Sequence, residues 1–507
     1  MTLGEFTIRD YSFGGETLSI RVCGVACPAF AGCEDVTHCG VGFRGYSCSR
    51  LLNRVEYRLR VGLPRLNQGQ RLIKAAEEGK MVEWKKFWDE DLETMSQDKL
   101  ERLETEKLQE MVAWAYDRTA LYRRKFDQAG VKPGDIKTLA DLKKLPLTTY
   151  FEDFCQTPIL EKLAVPIEEV KIVSSTSGTI SGFTQPVVMT AKGWTEYIDI
   201  EARGRWMLGV RPDDVLQILT GFTCCERGYE RLGAMTLHGH AGRRNLDHQI
   251  KLASVMGVTV LEHLPSLVLG YFERAKELGI DVRETKLRLV SGIGEGWANA
   301  YKKRIETEYG VPFRTFYGSM EALGGAECEY GGGMHILGGT CLYEVIDTKT
   351  QEVLGPGEEG ELVVTQFHNE AMPFIRYRTG DIASLLPYQP CPCGRTHPKL
   401  SMVRGRVSQI IRVGGKELLP MDVEEVVAGL PELGDEYQIM VDTPGELPRL
   451  KVKVETGRGV QDMAALRSRA EEAFNRELGV ESEIEMVPPG TIERAIFKAQ
   501  RIIKTFS

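Results

Sequence analysis

Short apolar runs at residues 168–173, 215–219, 258–261, 287–291 and 313–317 alternate with stretches of helical periodicity. That alternation predicts an α/β fold whose sheet is largely parallel. In such a sheet, ligands bind outside the carboxyl ends of the strands. Immediately after the first run come residues 174–184, SSTSGTISGFT. Gly178 and Gly182 let backbone N–H groups turn toward an anion without a Cβ in the way, and Ser174, Ser175, Thr176, Ser177 and Thr179 add hydroxyl donors. The segment lacks the G-x-x-x-x-G-K-[ST] pattern of nucleotide hydrolases. Clusters of this composition also form ordinary turns, so the loop alone leaves both readings open.

At 507 residues the chain exceeds one ordinary core. Its net charge of −8 offers no basic field to nucleic acid or an anionic membrane. No run approaches the roughly 20 apolar residues that span a bilayer. A cytoplasmic protein is expected. Of the 12 cysteines, Cys23, Cys27, Cys33, Cys39 and Cys48 crowd the first fifty positions. No signal-peptide pattern precedes them to suggest secreted disulfides, and their spacing fits no familiar ligand pattern. A charged helical pattern begins at Met81, with Leu100, Leu103, Leu108, Met111 and Trp114 on its apolar side. Residues 1–80 are therefore expected to be a poorly ordered extension, 81–404 a large multi-layer domain, and 405–507 a small mobile α+β domain. A hairpin is predicted from 343–347 to 361–365. The small domain should contain a turn at Gly414-Gly415, helices over 422–428 and 462–477, and a strand over 449–455.

The order of the remaining motifs carries the functional reading. Tyr317-Gly-Ser-Met-Glu321 is followed by Tyr377-Arg-Thr-Gly-Asp381, Gly405-Arg406, Gly414-Gly415-Lys416 and Lys498. This series resembles the adenylate-forming superfamily. Glu230-Arg-Leu-Gly233, the run from Glu370 to Asp381, and the ending from Gly490 to Arg501 narrow the likeness to phenylacetate-CoA ligase and related aryl-CoA ligases, over roughly Met81 to the end. The resemblance implies ATP-dependent activation of a phenylacetate-like or benzoate-like acid as acyl-adenylate, then transfer to coenzyme A. It implies that the 174–184 loop holds the β and γ phosphates, that Glu321 helps hold Mg²⁺, and that Tyr317, with Gly318 beside it, lies against adenine. Gly292, Gly294 and Glu295 would line the nucleotide pocket, and Asp381 would accept from the ribose hydroxyls. Arg406 would lie near ribose and phosphate. Lys498 would bridge carboxylate and α-phosphate, and Gly415 would line the pantetheine tunnel, the small domain rotating to present these two in turn. Taken singly, each residue also has a plain structural use: a helix cap for Glu321, a turn for Asp381, a core ring for Tyr317, a surface charge for Lys498.

The chain departs from that pattern at Phe183-Thr184 in the loop, at Ser408-Gln409 after Gly-Arg, at Phe497, and at Cys224-Cys225-Glu226-Arg227 near the acyl pocket. These leave open an amine acceptor, adenylylation as in coenzyme F390 synthetase, or a degenerate nucleotide-binding paralogue. Separately, Cys328, His335, Cys391 and Cys393 offer three thiolates and an imidazole for a structural Zn²⁺, with His397 as a substitute ligand. The alternatives are buried free thiols and a hydrogen-bonded histidine. No feature fixes the oligomeric state, and a homodimer is admitted.

Overall fold

The computed structural model describes residues 7–13, 16–22, 84–175, 186–238, 245–457, 459–494 and 499–506. The chain divides into two units, 1–83 and 84–507. In the first, β1 (Thr7–Phe13) pairs antiparallel with β2 (Glu16–Val22). The other residues of that unit, and with them most of the expected extension, lie outside the described residues.

The second unit is built around an eight-stranded sheet. After the β3 (Val170–Ser175) and β4 (Pro186–Thr190) hairpin come β5 (Val215–Ile218), β6 (Met235–His238), β7 (Val260–His263), β8 (Leu289–Ile293) and β9 (Phe313–Gly318). These five run parallel in the order β6-β5-β7-β8-β9, so the winding reverses beside β5. β10 (Leu323–Glu327), β11 (Met334–Ile336) and β15 (Lys399–Leu400) extend the sheet antiparallel. Every residue of β7 and β8 is buried, as expected for parallel strands covered on both faces. Successive residues serve opposite layers. Val260 and Leu289 join a core with Tyr197 and Trp206 of helix Ala191–Met207 and Tyr229 of helix Thr223–Leu232. Leu261 and Val290 join another with Val268 and Phe272 of helix Pro265–Glu277 and Tyr301 and Ile305 of helix Asn299–Glu308. The predicted Met81 pattern becomes helices Gln97–Arg118 and Ala120–Gln128. Leu100, Leu108 and Met111 are buried there, and Leu103 and Trp114 half-buried.

A second sheet orders β12 (Cys341–Ile346), β13 (Glu359–Gln366), β14 (Tyr377–Ser384) and β16 (Gly405–Arg406). The first two residues of the predicted small domain thus complete a sheet of the large one. A self-contained core then gathers residues from Ile411 to Met486 between helices Pro420–Ala428 and Met463–Leu478 and a four-stranded sheet. Asp462 caps the second helix at Ala465 N–H, 2.9 Å, and Gly479 ends it with φ +63°. Among the described residues no helix is long and apolar enough to cross a membrane.

Candidate active site

The Tyr377-Arg-Thr-Gly-Asp381 segment is a strand interrupted by a bulge. The β13–β14 register shifts between Glu361 and Val363, opposite Thr379 to Asp381. Gly380 takes φ +76° there, a conformation that favours glycine. Its N–H donates to Glu361 Oε1 (3.1 Å), while the Arg378 guanidinium donates to Glu361 Oε2 at 2.6 and 2.9 Å. The Thr379 hydroxyl donates to the Leu362 carbonyl (2.9 Å) and accepts from Asp381 N–H (3.0 Å). The bulge thereby presents Asp381 to β9, where the Tyr317 hydroxyl donates to its Oδ2 at 2.8 Å.

Arg406 lies directly across from Asp381 in the β14–β16 register, and its Nε meets Asp381 Oδ1 at 2.9 Å. Asp381 beside it holds the guanidinium above its ordinary pKa, against the burial that lowers it. Burial, then the adjacent Asp381, pushes the Tyr317 phenol well above its ordinary value. Glu321 follows β9 and is 6% exposed. The Gln366 amide donates to the carbonyls of Met320 (3.2 Å) and Glu321, fixing this turn. Burial raises the Glu321 carboxyl above its usual range, partly offset by Ser319. No ion pair to Glu321 forms among the described residues. Tyr317, Glu321, Asp381 and Arg406, expected from the motif order to act together, thus converge from three segments, 317–321, β14 and β16. Glu361, Gln366 and Ser319 were not foreseen; the first was accessible from the hairpin register, since residue 361 opens the predicted second strand.

At the other expected residues the structure shows the local packing and turns that place them. A Cβ on Gly292 would stand 2.5 Å from the Phe313 ring, so this glycine permits packing behind the sheet. Gly294, with φ +90°, makes the turn out of β8, where a Cβ would press on Leu264 and Phe222 at 3.0 and 3.2 Å. Glu295 Oε1 accepts from Ser266 N–H (2.8 Å), capping helix Pro265–Glu277. A Cβ on Gly318, which ends β9, would crowd the Phe316 ring at 3.1 Å. Gly415, with φ +79° and open space around it, forms the turn between strands Ile411–Val413 and Lys416–Leu418.

Ser174 and Ser175 end β3 as strand residues opposite Val187 and Pro186, where a loop was expected. The cross-strand ladder outweighs the turn preference of serine. Thr176, Ser177, Gly178, Thr179, Gly182 and Lys498 lie outside the described residues. On either side of Lys498, Arg494 pairs with Glu455 (2.6 Å) and Arg501 with Glu436 (2.8 Å), anchoring the ending to the small domain.

The thiol and imidazole constellation forms at the antiparallel edge of the large sheet. Ligand atoms of Cys328, His335, Cys391 and Cys393 all lie within 4.8 Å of one another. Cys328 Sγ and Cys391 Sγ are 3.7 Å apart, and Cys393 Sγ and His335 Nε2 3.4 Å. A tetrahedral shell with Zn–S bonds of about 2.3 Å has edges of about 3.7 Å, so the spacing fits zinc. His335 Nδ1 donates to the His397 carbonyl (3.2 Å), which turns Nε2 toward the thiols. The His397 ring is held by backbone groups, Nε2 donating to the Leu92 carbonyl (2.9 Å) and Nδ1 accepting from Gly338 N–H (3.3 Å), and it does not join the four clustered ligand atoms as the substitute ligand.

A family model described as the AMP-binding enzyme C-terminal domain matches residues 415–505. Phenylacetate-coenzyme A ligase of Aromatoleum evansii is 33% identical over 431 residues, 82% of this chain and 96% of the relative. The chain belongs to the phenylacetate-coenzyme A ligase family. The Thermus thermophilus member is 31% identical over 81% of this chain and 97% of its own. The fold is that of the adenylate-forming CoA ligases. A crystal structure of 2-hydroxyisobutyryl-CoA ligase in the postadenylation state with 2-HIB-AMP superposes with TM-score 0.78 at 24% identity, covering 84% of this chain and 93% of that one. The same enzyme in its thioesterification state, with 2-HIB-AMP and CoA, gives 0.61 at 25% identity over 84% and 94%. The likeness to the first is the greater of the two.

Proposed function

We propose that this protein is an ATP-dependent, AMP-forming ligase that joins an aromatic acid of phenylacetate or benzoate type to coenzyme A. The observation that carries the reading is the convergence of Tyr317, Glu321, Asp381 and Arg406 at the carboxyl end of β9, in a member of the phenylacetate-coenzyme A ligase family. A carboxylate resists a thiol because its leaving group would be oxide. In the first half-reaction a carboxylate oxygen bonds to the α-phosphorus and pyrophosphate departs. In the second the thiol sulfur bonds to the carbonyl carbon, loses its proton, and AMP departs.

In this scheme Asp381 accepts from the ribose hydroxyls, Tyr317 supports adenine, and Arg406 supplies a charge that its pairing with Asp381 keeps permanently protonated. Lys498 and the 174–184 loop hold carboxylate and phosphates. Glu321 has the chemistry to hold Mg²⁺: a buried hard carboxylate oxygen, with no ion-pair partner among the described residues, whose burial a divalent cation would offset. Mg²⁺ there would neutralise charge on the phosphates. Cys328, His335, Cys391 and Cys393 would hold a structural Zn²⁺, all four positions being filled by protein. An enzyme using ATP and CoA, with no described membrane-crossing helix, would work in the cytoplasm.

Pyrophosphate release measured over a panel of aromatic and aliphatic acids, with and without CoA, tests the reading. Release with an aromatic acid and thioester formation with CoA are expected. Release with an acid but no thioester would indicate another acceptor, and no release with any acid would indicate a degenerate paralogue.

A further inference from the structure

Helix Asn299–Glu308 of the large domain has no side-chain cap of its own; its N-cap residue is Ala298. Its first N–H groups are satisfied from the small domain. Ala298 N–H donates to Glu424 Oε2 (3.2 Å), Asn299 N–H to Glu425 Oε1 (2.5 Å) and Ala300 N–H to Glu425 Oε2 (3.2 Å). One turn along the same helix, Arg304 pairs with Asp435 (2.7 Å) and the Tyr301 hydroxyl donates to the Asp435 carbonyl (3.3 Å). The surfaces fit closely: a Cβ on Gly296 would collide with the Val403 carbonyl oxygen and the Met421 side chain. Unmet donors and the positive end of a ten-residue helix favour carboxylates at this place.

We propose that Glu424, Glu425 and Asp435 are positioning residues that hold the small domain in the arrangement used for acyl-adenylate formation. The inference rests on the ligase function proposed above. The two arrangements of 2-hydroxyisobutyryl-CoA ligase establish that this fold adopts more than one, and the likeness of this chain to the postadenylation one is the greater. All three acids belong to the small domain, beyond Gly405-Arg406. A rotation about that point carries them off together, leaving three helix N–H groups and Arg304 without these partners. The contact therefore favours one arrangement and sets what leaving it costs. A substitution here acts unequally on the two half-reactions, which a merely structural role would not do.

The test is Glu425→Gln combined with Asp435→Asn in the full chain. Glu425 is half-buried, and both replacements keep side-chain shape. Acid-dependent exchange of pyrophosphate into ATP reports the first half-reaction. Thioester formation from supplied acyl-adenylate and CoA reports the second, and small-angle scattering without substrate reports the arrangement. Exchange is expected to fall about tenfold, the size of losing cap bonds of this kind. Thioester formation should be unchanged or faster, and the scattering profile should shift to a more open particle. An equal fall in both half-reactions, unchanged exchange, or an unchanged profile would each overturn the proposal. If the unsubstituted protein shows no acid-dependent exchange at all, the ligase reading fails, and the scattering comparison alone then decides whether the acids hold the domain.

Discussion

Asp381→Asn isolates the group on which the nucleotide reading depends. In the structure its carboxylate accepts from the Tyr317 hydroxyl at 2.8 Å and pairs with Arg406 at 2.9 Å, and in the proposed complex it also accepts from ribose. An asparagine fills the same space but loses the charge and half of the acceptor capacity. Hydrogen bonds to charged groups contribute about 1.5–3 kcal/mol. Losing the ribose interaction should therefore cost about 2 kcal/mol, a rise of roughly 30-fold in KM for ATP. The folded state should suffer less. The Arg406 side chain is 35% exposed, so solvent screens the pair, and its loss should cost no more than about 1 kcal/mol. Tm should thus fall by only about 2–4 °C. The assay is acid-dependent pyrophosphate exchange as a function of ATP, with a melting curve on the same preparation. Tyr317→Phe is the companion, removing one donor while leaving the ion pair, with an expected rise of about fivefold. A folded Asp381→Asn protein whose KM for ATP rises less than about threefold, the scale of an ordinary surface change, would refute the assignment.

Purified protein should carry close to one zinc per chain by metal analysis, and Cys391→Ser should lower zinc content and Tm together. Lys498→Ala should abolish adenylate formation while sparing thioester formation from supplied acyl-adenylate. Gly415→Leu should do the reverse, with adenylate accumulating, and a loss of both half-reactions in either variant would contradict the assignment. Burial pushes Glu104, which accepts from Gly339 N–H at 2.9 Å, from 4.5 up to about 7. The folded state therefore holds this proton more tightly than the unfolded state, so stability falls as pH rises from 4.5 to 7 and the full cost remains above 7. Glu104→Gln should stabilise the protein at pH 8 by up to about 3 kcal/mol and make no difference near pH 4, measured by denaturant melts. Glu424, also raised to about 7 by burial, titrates in the same window, so the variant should flatten the slope without abolishing it.

The pattern legible in the sequence was the one that depends on periodicity and motif order: the parallel strands, the hairpin of β12 and β13, and the two helices of the small domain. Strand ends were less legible where polar residues are buried. β7 and β8 run two residues beyond the expected 258–261 and 287–291, through Glu262-His263 and Gly292-Ile293. A glutamate normally ends an apolar strand, yet Glu262 is buried because Tyr229 donates to it at 2.5 Å and Arg205 lies 3.4 Å away. That network spans helices distant in sequence and leaves no local trace. The clustering of Cys328, His335, Cys391 and Cys393 was legible because cysteine and histidine are rare and chemically specific. The helix-capping role of Glu295 was not, since the N–H it accepts from belongs to a segment 29 residues earlier.

The departure at Ser408-Gln409 bears on whether the hinge is intact. Arg406 is the last residue of β16, and the first buried residue of the small-domain core is Ile411, so any rotation must be absorbed by the few residues between them. Those residues form a 3₁₀ turn, Val407–Gln409, entered from Arg406 in extended conformation. The Gln409 side-chain carbonyl accepts from Arg406 N–H at 3.0 Å, the reach-back bond that the third residue of a turn makes in a capping box. A glutamine serves this bond as well as a glutamate does. It also brings no second negative charge toward Asp381, which keeps Arg406 to itself. The neutral residue therefore preserves the geometry that joins Asp381 and Arg406 to the small domain, and this segment gives no physical reason against the proposed turnover.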